Sequence, residues 1–128
     1  MRYLLDTQTL LWWITKPNVL SPSMRDFLDD RSNELFLSVV IPWELAIKTR
    51  TGKLDAHQIL REIEFGQLMQ DLQVLYADIS HVIRAGLLPL HHRDPFDRLL
   101  AAQALDLGIP IVSRDMIFDR YGVQRIWH

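Results

Sequence analysis

The sequence predicts an α/β fold in a single domain, with a mainly parallel central sheet flanked by helices. Three observations predict it. Short apolar runs typical of buried strands alternate with longer segments of helical periodicity. The length of 128 residues suits one domain with its own hydrophobic core. Acidic residues lie where apolar runs pass into helices, which is where parallel α/β sheets carry their ligand-binding groups.

The predicted strands are short apolar or β-branched runs. In chain order they cover residues 2–5, 35–40, 74–77, 110–113 and 124–127. The last of them is predicted to be an edge strand.

The predicted helices have caps at their ends and apolar residues at helical spacing. In chain order they cover residues 7–14, 21–30, 42–50, 56–72, 80–88 and 94–108. Ser21 and Asp94 are each followed by proline, the residue favoured at the first helical position. Ser80 is expected to cap the fifth helix, and Gly52 and Gly108 are expected where helices end.

Composition excludes several classes of protein. The chain has no cysteine, which excludes a disulfide framework, a thiolate nucleophile and a zinc–thiolate site, and which fits a cytoplasmic protein. No stretch approaches the ~20 apolar residues of a membrane span. The apolar N-terminal segment carries Asp6 and lacks a small-residue cleavage site, so we interpret it as a strand and helix, not a signal peptide. Because the net charge is −2, we expect any binding of nucleic acid to use a local basic patch and not the overall charge of the protein.

Four acids are predicted to share one edge of the sheet. Asp6 directly follows the first strand, Glu44 lies in the predicted first turn of the helix after the second, and Asp115 follows PIVSR. Asp97 lies in the first turn of the helix that leads into the PIVS strand. Because a helix that crosses back to a parallel strand starts at the carboxyl edge, we expect all four acids to converge there.

Convergence of four carboxylates predicts a bound cation. The acids would otherwise repel one another, and some would have raised pKa values. Oxygen ligands without cysteine favour Mg²⁺, with Mn²⁺ as a substitute, over zinc. Such an ion leaves positions for phosphate oxygen and water, so the pattern indicates metal-assisted hydrolysis of phosphodiester bonds. The alternative is that the acids only cap helices, since Asp94 fits an N-cap and Asp97 suits the helix dipole.

The chain resembles PIN-domain ribonucleases, specifically the VapC-type toxins of type II toxin–antitoxin systems. The matching segments are YLLDTQTLLWW, SVVIPWELAIKTRTGKL, LPLHHRDPFDRLLAAQA and PIVSRDMIFDRYGV, in the family's order and across nearly the whole chain. The resemblance implies a single PIN-like domain over residues 1–128. It also implies a Mg²⁺-dependent endoribonuclease that acts on RNA, forms a homodimer and is neutralised by an antitoxin whose tail lies in a groove near the site.

The resemblance also assigns residues. It implies a catalytic quartet of Asp6, Glu44, Asp97 and Asp115, in which the three aspartates hold the metal. Two departures bear on helix entry and on substrate contacts. Ile41-Pro42 precedes the WE pair where a small polar residue is expected, and Gln8 stands where such toxins often carry histidine.

Residues beside the quartet are candidates for supporting roles at the metal or the substrate. Thr7 and Ser113 could hold water or phosphate, or could end a strand or cap a helix. Lys48 lies four residues after the glutamate of the quartet, which gives either a helix ion pair or a contact to the RNA backbone. Arg98 could bind phosphate or offset carboxylate charge. Asp94 is the N-cap, with an outer role at the site as the further alternative.

Two pairs of adjacent side chains have open interpretations. Adjacent histidines rarely point at one ion, so we interpret His91 and His92 as loop-packing residues, with a hydrogen bond into the acidic site as the alternative. Trp12 and Trp13 cannot both face one core from a helix, so one of them is predicted to face a dimer or antitoxin groove.

Three other functions compete with the ribonuclease. A PIN-like module could bind RNA or a partner without catalysis, although a complete quartet argues against a degenerate site. A structure-specific DNA nuclease would share the same chemistry. An aspartyl-phosphate enzyme could use LLDTQT, but such enzymes commonly carry a second aspartate where this chain has Gln8.

Overall fold

The strands of the sheet are all parallel. The computed structural model describes residues 1–68 and 70–128. Within them the strands are β1 (Arg2–Leu5), β2 (Glu34–Ser38), β3 (Leu72–Leu75), β4 (Ile111–Val112) and β5 (Arg125–Ile126). Their order across the sheet is β3-β2-β1-β4-β5, which confirms the predicted α/β class and places the last strand at an edge as predicted.

Helices connect successive strands. In chain order they are α1 (Thr7–Thr15), α2 (Pro22–Asp29), α3 (Val40–Arg50), α4 (His57–Glu64), α5 (Ile79–Leu87), α6 (Pro95–Leu107) and α7 (Ile117–Arg120). Short 3₁₀ turns lie at Pro17–Val19 and Leu68–Gln70. In the part of the chain that the structure describes, no helix is both long and apolar enough to cross a membrane.

The centre of the sheet is the most buried part of the core. Leu4 and Leu5 of β1 and Ile111 and Val112 of β4 are fully buried, and Leu5 pairs with Val112. Strands buried on both faces appear in sequence as uninterrupted apolar runs, which is why these two were predictable.

The order of the strands reverses beside β1. The chain passes from β1 to β2 and β3 in one direction, and α5 and α6 then carry it back to β4 on the other side of β1. The carboxyl ends of β1 and β4 therefore lie side by side at a topological switch point, where open α/β sheets bind ligands.

One predicted helix was too long. The helix expected over residues 56–72 ends at Glu64, and β3 starts at Leu72, before the predicted strand start at residue 74. Gly66 follows the helix with φ +78°, a left-handed conformation that ends a helix at little cost for glycine. Met69, placed on this helix by its apolar periodicity, lies outside the described residues.

The helix that carries Glu44 starts earlier than predicted. Helix α3 begins at Val40, so Glu44 is its fifth residue and lies in the second turn, not the first. Pro42 is tolerated because the first N–H groups of a helix have no partner within it. The hydroxyl of Ser38 accepts a hydrogen bond from the Val40 N–H at 3.2 Å, so a hydroxyl does assist entry into this helix.

Two further local predictions need correction. Asp78, and not Ser80, is the N-cap of α5, and its backbone N–H donates to His81 Nδ1 at 3.0 Å. Helix α7 was not predicted, because four residues are too short to show helical periodicity.

Candidate active site

Carboxylates from separate segments of the chain converge in one cleft of about 490 Å³. We call it the acidic cleft after these carboxylates, which belong to Asp6, Glu44, Asp94, Asp97 and Asp115. The other polar residues that line it include Thr7, Gln8, Lys48 and Arg114. All four acids of the predicted quartet thus lie together, although they are far apart in sequence.

Asp6 joins β1 to the loop after β4. It is the N-cap of α1, and its Oδ1 accepts from the Thr9 N–H at 2.8 Å. Its Oδ2 accepts from the hydroxyl of Ser113, a fully buried side chain. Burial raises the pKa of Asp6, and the hydrogen bonds from Ser113 and Thr9 offset only part of that rise.

Ser113 also links Asp6 to Asp115. Its Oγ accepts from the Asp115 N–H at 2.9 Å while its own proton goes to Asp6. The Asp115 side chain is exposed, and its Oδ1 accepts from the Ile117 N–H at 3.0 Å ahead of α7. One buried hydroxyl therefore fixes the relative positions of two carboxylates in the acidic cleft.

Glu44 is held at both of its carboxylate oxygens. It is 3% exposed, its Oε1 accepts from the Thr7 hydroxyl at 2.6 Å, and its Oε2 lies 2.5 Å from Lys48 Nζ. Partial burial alone would lower the pKa of Lys48, but the hydrogen bond and charge of Glu44, with the charges of Asp94 and Asp97, raise it above its ordinary value. Lys48 is therefore a stable cation in the wall of the acidic cleft.

Asp94 and Asp97 occupy different places at the start of α6. The Oδ1 of Asp94, the N-cap, accepts from the Phe96 N–H at 2.9 Å. Asp97 lies in the first turn, and its Oδ2 lies 2.9 Å from Nε2 of His92. The proline between them, Pro95, takes the first helical position as predicted.

The pKa of Asp97 reports the charge of the whole cleft. Burial raises it first, and the negative charges of Asp94, Glu44, Asp6 and Asp115 raise it further, to about 7. Since each of these carboxylates acts on Asp97, the convergence is electrostatic as well as geometric. The acidic cleft is a site in which a cation would relieve repulsion.

The donor set suits a hard divalent ion. The ligand atoms available at the acidic cleft are carboxylate oxygens, as Mg²⁺ and Mn²⁺ prefer. One oxygen each of Asp94 and Asp97 and a ring nitrogen of His92 lie within 4.8 Å of one another. Asp6, Asp97 and Asp115 also line this cleft, but their carboxylate oxygens do not form a group as close as that one among the described residues.

The candidate supporting residues separate into two groups. Thr7, Lys48, Asp94 and Ser113 lie at or directly behind the acidic cleft. Arg98 is not among the residues that line it in the described part of the chain, and its Nε is buried there without a hydrogen-bond partner.

A different arginine, Arg114, lies beside the carboxylates. It lines the acidic cleft, and its guanidinium carbon lies 6.0 Å from the ring centroid of Trp12.

The adjacent tryptophans make different polar and aromatic contacts, although both pack against the edge of the core. Trp12 lines the acidic cleft and packs against Trp127 at 6.1 Å between ring centroids. Trp13 Nε1 donates to Asp29 Oδ1 of α2 at 3.0 Å. A second groove of about 560 Å³ runs on from the acidic cleft between α1 and α4, and Trp12 lines both.

Gln103 is the polar residue that the sequence reasoning missed. It is fully buried in α6, and its Oε1 accepts from the Ser38 hydroxyl at 2.6 Å. This bond joins the helix of Asp97 to the last residue of β2, just ahead of the helix of Glu44. One glutamine inside the apolar run LLAAQA was the signal that could have identified it.

The histidine pair divides between the two interpretations. His91 packs against the ring of Tyr121 at 5.1 Å, as expected of a loop-packing residue. His92 makes the alternative contact, since it lies in hydrogen-bond range of Asp97.

Comparisons with known proteins agree with this fold. A chain of the VapBC2 structure from Rickettsia felis, bound to a DNA fragment from its promoter, is similar with a TM-score of 0.75 and 17% identity over 100% of both chains. A chain of VapBC-1 from nontypeable Haemophilus influenzae is similar with a TM-score of 0.66 and 22% identity, over 98% of this chain and 97% of that chain. A chain of a toxin–antitoxin complex from Klebsiella pneumoniae is similar with a TM-score of 0.58 and 13% identity, over 89% of this chain and 87% of that chain. At identities this low, the structural similarity shows a shared fold and no more than that.

The family is established by sequence. No curated protein sequence is significantly similar to this chain. The family model of the PIN domain, however, matches residues 3–124, which include every carboxylate of the acidic cleft. The chain therefore belongs to the PIN domain family, a family of nucleases.

Proposed function

We propose that this protein is a Mg²⁺-dependent endoribonuclease and the toxin of a toxin–antitoxin pair. The observation that carries the proposal is the convergence of five carboxylates in one cleft of a PIN domain, where burial and then the neighbouring negative charges raise the pKa of Asp97 to about 7. A structural role does not require such crowding, whereas a site that binds a divalent ion does.

The metal ligands in this proposal are Asp6, Asp97 and Asp115. Mg²⁺ is the expected ion and Mn²⁺ a substitute, because the donors are carboxylate oxygens. When bound, the ion supplies Lewis-acid stabilisation of the charge that develops on the scissile phosphate. Ser113 keeps Asp6 and Asp115 in register through its two hydrogen bonds.

Glu44 is the fourth catalytic carboxylate. Thr7 and Lys48 hold it in one orientation, so it meets the substrate without a search through rotamers. Lys48 balances the charge of Glu44, whose proposed role is to accept a proton from an attacking water.

The substrate would be held through its backbone phosphates. Lys48 and Arg114 are cations in the wall of the acidic cleft, although the chain as a whole carries a net charge of −2. These two cations beside the carboxylates suit the phosphates of a polyanion whose scissile phosphate faces the acids. Asp94 would act as an outer group that aims α6.

Cleavage of matched RNA and DNA oligonucleotides tests the activity and the substrate together. We expect the wild type to cut RNA with Mg²⁺, to stop with chelator, and to lose at least about 100-fold of its rate in Asp6→Asn. Asp26→Asn is a matched control, because Asp26 is an exposed aspartate on α2 outside the acidic cleft. Faster cleavage of the DNA would replace the ribonuclease with a DNA nuclease, and no cleavage of either would favour a binding module.

The second groove is the proposed binding site of the antitoxin. It combines apolar side chains such as Trp12, Leu54 and Ile59 with the cations Lys16 and Arg61, which suits an amphipathic segment with acidic flanks. Because the groove continues from the acidic cleft, a bound tail would block substrate. Trp12→Ala should weaken inhibition by the cognate antitoxin in a cleavage assay, and unchanged inhibition would contradict this placement.

The outer face of α5 is the proposed homodimer surface. Ile79, Val82, Ile83 and Leu87 share one face of this helix and are between 49% and 81% exposed. An uninterrupted apolar face is self-complementary across a two-fold axis. Sedimentation of wild type and Ile83→Glu should give a dimer and a monomer respectively, and a wild-type monomer at high concentration would exclude the dimer.

A further inference from the structure

The loop between α5 and α6 brings a histidine against Asp97. His92 Nε2 lies 2.9 Å from Asp97 Oδ2. The loop is tied down from the other side, because the His92 backbone N–H donates to the hydroxyl of Tyr121 at 2.9 Å. Tyr121 is buried, so His92 is held in place from outside the acidic cleft.

The hydrogen bonds define the tautomer of the ring. The Asp94 N–H donates to His92 Nδ1 at 3.3 Å, so Nδ1 carries no proton. The ring proton is therefore on Nε2, which lies 2.9 Å from Asp97 Oδ2. The N-cap residue of α6 thus orients the histidine that holds the acid three positions further along.

The consequence concerns which oxygen of Asp97 faces a cation. The Oδ2 of Asp97 is occupied by His92, while its Oδ1 has no hydrogen bond within the described residues. We propose that His92 is a positioning residue, which fixes the rotamer of Asp97 and leaves Oδ1 as its ligand oxygen. This inference rests on the proposed function, since it assigns a role toward the same metal.

His92 is better placed to orient a ligand than to be one. Its ring lies close enough to Asp94 and Asp97 for one ion to touch all three side chains. Both ring nitrogens already have a neighbour, however, since Nδ1 accepts from the Asp94 N–H and Nε2 contacts Asp97 Oδ2. A metal bond would require one of these contacts to break. Hydrogen bonds to ligating carboxylates typically change metal affinity by about 10–100-fold.

Two amide substitutions test the inference at the level of single atoms. In His92→Gln, the amide nitrogen of the introduced side chain extends about as far as Nε2 of the imidazole and can donate to Asp97. In His92→Asn, the shorter side chain offers an amide only at the position of Nδ1 and cannot reach Asp97. The two variants are otherwise similar in polarity, so a difference between them reports the contact with Asp97.

The measurement is calorimetric titration of the intact protein with MnCl₂. We expect His92→Asn to bind Mn²⁺ about 10–100-fold more weakly than wild type, and His92→Gln to recover most of the affinity. Equal affinity in all three proteins would overturn the proposal, as would a loss in His92→Gln as large as that in His92→Asn. Melting curves of each variant exclude a folding defect as the cause.

The tautomer gives a readout that does not depend on metal. In ¹⁵N NMR spectra of the metal-free wild type at neutral pH, His92 should carry its proton on Nε2, and a proton on Nδ1 would overturn the proposal. If the wild type binds no Mn²⁺, the proposed function and this inference fail together. If the wild type binds Mn²⁺ and His92→Asn binds it equally well, only the inference fails.

Discussion

Neighbouring acids at the start of α6 make different contacts although both suit a helix N-terminus. Both line the acidic cleft, but Asp94 caps the helix through one side-chain oxygen, whereas Asp97 contacts His92. Capping requires an acceptor oxygen and not a charge, while a metal ligand requires the charge. The same residue type, three positions apart, is therefore expected to respond differently to the same substitution.

Substitution of each acid by asparagine separates these roles. Asp94→Asn keeps an acceptor for the Phe96 N–H, so the free energy of unfolding should change by no more than about 0.5 kcal/mol and activity should fall modestly. Asp97→Asn should lower kcat/KM far more, because it removes a proposed ligand. Urea unfolding and cleavage rates measure both effects, and a larger loss of activity in Asp94→Asn would reverse the assignment.

The raised pKa of Asp97 makes the stability of the metal-free protein depend on pH. The pKa is about 7 in the folded chain and about 3.9 in an unfolded one, so between these values the folded state binds a proton that the unfolded state has lost. The stabilisation of the folded state by protonated Asp97 is therefore fully present below about pH 4 and is lost as the pH rises through about 7. The loss is at most about 4 kcal/mol, at about 1.4 kcal/mol per pKa unit.

Comparison with Asp97→Asn isolates this contribution. In chelator, the variant should become more stable relative to wild type as the pH rises from about 4 to about 8. Mg²⁺ should then stabilise the wild type at the higher pH and the variant much less. Chemical denaturation at both pH values checks this, and a difference that does not vary with pH would show that Asp97 has an ordinary pKa.

At the scale of elements, a buried polar bond links the helices that carry the site. Gln103 of α6 accepts from Ser38, whose Oγ in turn accepts from the Val40 N–H at the start of α3. Removal of one partner alone leaves a buried polar group without a partner. The bond thereby couples the position of α6 to that of α3.

A double-mutant cycle tests this link. Gln103→Leu should lower the free energy of unfolding by about 1–3 kcal/mol, because the buried hydroxyl of Ser38 loses its acceptor. The double variant with Ser38→Ala should lose less than the sum of the two single variants. Denaturant unfolding gives the coupling energy, and strictly additive losses would mean that the bond contributes nothing.

The elements that sequence predicted well are those with local signals. Strand β1 passes from Arg2 into the apolar residues Tyr3, Leu4 and Leu5, and α6 has a cap, a proline at its first position and Gly108 in the left-handed conformation after its last residue. The predicted helix over residues 56–72 failed because apolar periodicity continued past Gly66, whose left-handed conformation follows the end of the helix. Tertiary packing, and not periodicity, determines where β3 begins.

At the scale of the molecule, topology explains why the acids could be predicted to converge. A right-handed parallel sheet places every strand end and every returning helix start at one edge, so residues as distant as Asp6 and Asp97 could be assigned to one place. The hydrogen bonds around these acids could not be predicted from the sequence. The contact from Thr7 to Glu44 depends on side-chain rotamers across two elements, which no local pattern specifies.

The charge of the whole chain is consistent with a locally unbalanced site. The net charge is only −2, yet the acidic cleft gathers five carboxylates against the cations Lys48 and Arg114. The acids and cations outside the acidic cleft therefore nearly balance one another. A fold that concentrates negative charge at its switch point is stabilised when a cation binds there.

The measurement that tests this account most directly is the single-turnover rate of RNA cleavage across a titration of Mg²⁺. The wild type should show no cleavage in chelator, a rate that rises with Mg²⁺ and then saturates, and Asp97→Asn should remain at least about 100-fold slower at every concentration. Cleavage by the wild type that is unchanged by chelator, or equal rates for the two proteins at saturating Mg²⁺, would contradict the account.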